Sequence, residues 1–131
     1  MQQVFVIAVW VGILAGLVSG AAIGLNFHRD NWLGGYGSWR RRLVRLGHVS
    51  FFGLAGLNLI FLLTVAVVHD GAIVVPGTLL LIGAATMPVV CFLSAWRQPM
   101  RRLFFIPVAS LIGGVAWTTL VVILGVMGHP L

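Results

Sequence analysis

The chain of 131 residues contains a single cysteine, no lysine and only two acidic residues, Asp30 and Asp70. With Cys91 alone there is neither an intrachain disulfide nor a cysteine metal cluster. Charge is scarce overall: 8% of residues are charged and 60% hydrophobic, at a mean hydropathy of +1.11. A water-soluble domain of this length needs a polar surface, which this composition does not provide. No Asp, Glu, Lys or Arg lies within any of the long apolar runs. That absence excludes a small proton-coupled antiporter, which needs a carboxylate inside the membrane.

The apolar residues fall into four runs, Val4–Phe27, Leu46–Val68, Ala72–Trp96 and Leu103–Met127. Each exceeds the ~20 residues a helix needs to cross the hydrocarbon layer. Backbone polar groups in lipid must be satisfied within their own segment, so each run is expected to be a helix. The connections His69-Asp70-Gly71 and Arg97–Arg102 are short. They predict one domain of four transmembrane helices in an up-down-up-down antiparallel bundle.

All eight basic residues are arginines. Arg29, Arg40, Arg41, Arg42 and Arg45 lie between the first and second runs; Arg97, Arg101 and Arg102 lie between the third and fourth. Positive residues in short loops stay on the cytoplasmic face. The expected topology has both termini outside and both arginine loops inside, in a bacterial inner membrane. The first run carries positive charge only after it, which fits a retained helix and not a signal peptide. The net charge of +6 then belongs to topology and to anionic lipid headgroups, with no nucleic-acid partner expected.

Gly12, Gly16, Gly20 and Gly24 recur every fourth residue of the first run, a stripe that permits close backbone approach. Its partner is expected within the chain, with the small face of the fourth run, around Gly113 and Gly114, as the natural counterpart. Pro76 is expected in a first helical turn, whereas Pro88 and Pro107 are expected to bend their helices. Asn58, in the middle of the second run, reads as a packing residue with an interhelical hydrogen bond. The loop His28–Arg45 carries Trp32, Tyr36 and Trp39 among Gly34, Gly35 and Gly37, as an interfacial aromatic belt does. The same loop could instead form a surface for a partner subunit or a lipid headgroup.

Histidines are the remaining chemistry. His28 closes the first run and His48 opens the second, so both are expected near the arginine side. Two imidazoles on adjacent helices at one depth could ligate a b-type haem axially, with Arg29, Arg40, Arg41, Arg42 and Arg45 near its propionates. The alternative is that both are interfacial side chains. His69-Asp70, on the opposite side, reads as a turn with Asp70 capping a helix.

Strong packing features, a fixed orientation and no buried ionisable group point first to a non-catalytic integral membrane subunit. Such a subunit would pack in, or help to assemble, a larger inner-membrane complex, with electron transfer as the expected setting. A haem b electron carrier using His28 and His48 is the alternative. A lipid- or quinone-binding protein is the third.

Overall fold

The computed structural model describes residues 2–68 and 73–128, and the described part is entirely helical apart from its short connecting turns. The turn His69-Asp70-Gly71 and His129 lie outside the described residues. Four long helices follow one another: α1 (Gln2–Leu25), α2 (Trp39–Val68), α3 (Val74–Trp96) and α4 (Phe105–Gly128). Short 3-10 segments at Trp32–Gly34 and Gln98–Phe104 complete the order. All four long helices have the length and apolarity to cross a membrane.

Helix α2 begins seven residues before the apolar run that marks it in the sequence. The cause is local. Ser38 Oγ accepts a hydrogen bond from the Arg41 backbone N–H at 3.2 Å, capping the helix, and donates to the Leu33 carbonyl at 2.6 Å. Arginine is itself a good helix former. Arg40, Arg41, Arg42 and Arg45 therefore lie on the first turns of α2, and the loop expected to run to Arg45 ends at Ser38. Pro107 also departs from expectation: α4 starts at Phe105, which puts Pro107 in a first turn, where a missing N–H breaks no bond of that helix. Pro76 occupies a first turn as expected, and Pro88 lies inside α3.

Packing follows chain order: α1 lies along α2, α2 along α3 and α3 along α4, and among the described residues no comparable contact joins α1 to α4. Glycines set the close approaches. A Cβ on Gly12 would lie 3.2 Å from Ala55 Cβ; on Gly16 it would meet the Phe52 ring at 2.7 Å, and on Gly20 His48 Cε1 at 2.7 Å. The stripe is thus filled by α2, in opposite chain sense, and not by α4. The small face of α4 serves α3, with Gly114 against Leu80 and the Pro76 carbonyl and Gly113 near Leu79. Gly47 of α2 faces Cys91 and Phe92, while Gly77 of α3 receives the rings of Phe5 and Phe61. A Cβ on Gly24 would meet nothing within 4 Å, so the close contact stops one turn before α1 ends.

Two apolar clusters hold the helices at different depths. Phe5, Phe61 and Leu80 form one, with Phe5 and Phe61 ring centroids 5.1 Å apart. Ile23, Val44 and Ala95 form the other, near the arginine-bearing segments. Helix α3 is the most enclosed, with 39% of its most apolar stretch buried, and α4 the least, with 6%. Among the described residues α3 packs closely along both α2 and α4, whereas α4 packs closely along α3 alone.

Candidate functional site

Most of the polar side chains lie at one end of the molecule, where α1 finishes, α2 begins and α3 finishes. The connecting segment turns sharply there, because Leu33, Gly34 and Gly35 all take positive φ, at 54°, 86° and 92°. Glycine adopts that backbone freely and leucine does not. The turn brings three aromatic rings around Arg41. Its guanidinium carbon lies 4.9 Å from the Phe27 centroid, 5.0 Å from Tyr36 and 5.6 Å from Trp32. Phe27 and Tyr36 meet edge-on at 6.2 Å.

Arg41 is only 2% exposed; its Nη2 donates to the Phe27 carbonyl at 3.2 Å, and its Nε has no partner among the described residues. Arg45 stacks on Tyr36 at 4.7 Å and donates from Nη2 to the Tyr36 carbonyl at 3.2 Å. A guanidinium between aromatic faces is attracted by their quadrupoles, more strongly where water is excluded. Two of the five arginines expected to meet propionates or headgroups are therefore engaged in holding the connecting segment. The other three, Arg29, Arg40 and Arg42, are exposed. The aromatic residues of the segment enclose a cation.

His48 is half-buried and turned toward α1. Ser19 Oγ donates to the Gly16 carbonyl at 3.0 Å and lies 3.1 Å from His48 Nδ1. The Ser19 hydroxyl thus links the Gly16 carbonyl of α1 to the His48 ring of α2. The Cε1–Nε2 edge of the ring abuts Gly20, and Phe52 packs edge-on at 5.5 Å. His28 is exposed in the turn after α1, with no hydrogen bond or ring contact among the described residues. From Gly20 to the end of α1 at Leu25 is roughly 8 Å of helix at ~1.5 Å per residue. Among the described residues no contact brings the His28 and His48 rings together. Ser19 is the partner that sequence reading missed, although it sits beside Gly20 in the stripe.

Between these elements lies a groove of about 270 Å3. Its walls are Ala22 and Ile23 of α1, Trp32 and Leu33 of the turn, and Phe92 and Trp96 of α3. Asn26 at its edge is satisfied locally, donating from Nδ2 to the Ala22 carbonyl at 2.9 Å.

A second groove, of about 280 Å3, runs between α2 and α4 over α3. Ile60, Thr64, Thr118, Thr119 and Ile123 line it, with the buried Phe61 and Leu80 beneath. The three threonine hydroxyls donate to carbonyls of their own helices, Ile60, Gly114 and Val115, at 2.8–2.9 Å. The groove is consequently apolar in effect.

Asn58 lies at the core, 1% exposed, and its Nδ2 donates to the Leu54 carbonyl one turn back at 2.8 Å. This is a bond within α2 and not the interhelical bond expected, and Oδ1 has no partner among the described residues. Among the described residues no three of His, Cys, Asp and Glu come together. No protein-family model, curated protein or solved structure matches the chain.

Proposed function

We propose that the protein is a non-catalytic integral membrane subunit that packs in, or helps to assemble, a larger membrane complex. The observation that supports this reading is the open row of helices. Because α2 and α4 both pack along α3 and barely touch each other, the flank between them is left as an apolar groove with Phe61 and Leu80 beneath it. In lipid, helix association is driven by close van der Waals packing, and a groove between two helices offers a further helix that contact. The hydroxyls there are already satisfied, which suits packing better than chemistry.

In this reading the helices alternate up and down through a bacterial inner membrane. Both termini lie outside and the arginine-bearing connections lie in the cytoplasm, as the arginine distribution supports. An electron-transfer complex is the proposed setting, by analogy alone. Haem ligation by His28 and His48 remains a separate proposal, tested by an absorbance spectrum: a Soret band lost in a His28→Ala/His48→Ala double variant would establish it.

Extraction in a mild detergent, followed by native mass measurement and identification of co-purifying chains, tests the subunit reading. One or a few membrane proteins in fixed stoichiometry are expected. A stable lone monomer, recovered whatever detergent is used, would overturn it.

A further inference from the structure

We infer that the groove at the arginine end is a site for one anionic phospholipid. Its acyl chain would lie against Ile23, Trp32, Leu33, Phe92 and Trp96, and its phosphate would be met by Arg29 and Arg97, which flank groove residues along the chain. The inference stands apart from the subunit reading, because it uses the opposite end of α2 and different residues.

The walls select an apolar occupant. Apart from Asn26 and Ser19, whose side chains are bonded to α1 carbonyls and to His48, the groove offers only carbon and indole surface. At about 270 Å3, the open groove has room for a segment of one acyl chain.

The mouth selects a negative headgroup. Arg29 sits in the turn between two groove residues: its N–H donates to the Asn26 carbonyl at 3.2 Å, and its carbonyl accepts from Trp32 at 3.1 Å. Arg97 directly follows Trp96. Both side chains are exposed and make no hydrogen bond or ion pair among the described residues. Only one acidic residue, Asp30, shares this end with the arginines. The buried Arg41, 5.6 Å from the Trp32 ring, adds a permanent positive charge behind the wall, and the N-terminus of α2 adds its partial charge. An amphiphile with one negative head and an apolar chain meets both demands.

Polybasic surfaces attract anionic lipid diffusely, so the test must separate a site from a surface. Purified protein in detergent is titrated with phosphatidylglycerol or phosphatidylcholine of identical chains, and bound lipid is counted by native mass spectrometry. One phosphatidylglycerol per chain is expected to persist where phosphatidylcholine is lost. Arg29→Gln/Arg97→Gln should weaken it roughly 10- to 30-fold, whereas Arg40→Gln/Arg42→Gln, removing the same charge elsewhere, should change it by about twofold or less. Ala22→Trp, which fills the groove from an exposed position, should abolish retention while helical circular dichroism is unchanged. Equal retention of the two lipids, equal effects of the two double variants, or retention by Ala22→Trp would each overturn the inference.

Discussion

At the scale of single residues, two buried polar groups lead to opposite expectations. Arg41 combines a carbonyl bond with three aromatic faces, and lysine reproduces neither the planar stacking nor the fork of donors. Arg41→Lys should lower stability by about 1–2 kcal/mol and expose residues 26–38 to protease, while Arg42→Lys, on the exposed side, changes neither. Thermal unfolding in detergent with limited proteolysis measures both. Asn58 has half its amide unpaired, and an unpaired buried acceptor is a standing penalty. Asn58→Leu should be neutral or stabilising by up to about 1 kcal/mol, and Asn58→Ala destabilising through the cavity it leaves. A large loss for Asn58→Leu would mean that Oδ1 has a partner essential to the fold. Sequence alone placed Asn58 at mid-membrane but could not place its bond, because an amide on a helix reaches its own carbonyl four residues back as readily as a neighbour. Arg41 and Arg45 looked like Arg29, Arg40 and Arg42; the positive-φ turn at Leu33–Gly35, which brings Tyr36 onto both, separates them.

At the scale of elements, the glycines of α1 divide by what faces them. Gly16→Ala and Gly20→Ala push a methyl into Phe52 and His48 and should cost about 1–3 kcal/mol, the usual range for overpacking. Gly24→Ala meets open space and should gain up to about 1 kcal/mol from helix propensity. Denaturant or thermal scans of the three variants order them directly. Combining Gly20→Ala with His48→Ala should recover part of the Gly20→Ala loss, a coupling that a double-mutant cycle reads out. The four-residue spacing was visible in the sequence, and so was the need for a close neighbour. The identity of that neighbour was not, since a smooth stripe says that something approaches and not what. Ala55, Phe52 and His48 answer it only once α2 is laid antiparallel along α1. The early start of α2 was hidden for another reason: hydropathy stops at arginine, although the helix does not, and Ser38 was the cap that marked it.

At the scale of the whole molecule, four apolar segments announce a multi-pass membrane protein from composition alone. What composition could not convey is that the helices stand in an open row, because every run is apolar on all sides and lipid satisfies an outward face as well as protein does. Broad exposure on α1, such as Trp10 at 67% and Leu14 at 62%, is what a lipid-facing helix presents. The flank between α2 and α4 differs by being concave. Site-specific photo-crosslinking in intact membranes separates the two most directly. A photoreactive residue in place of Ile123, in the groove, is compared with one in place of Leu14 on α1. The subunit reading requires a discrete protein adduct of one mass from position 123 and none from position 14. Lipid adducts alone from both positions would contradict it.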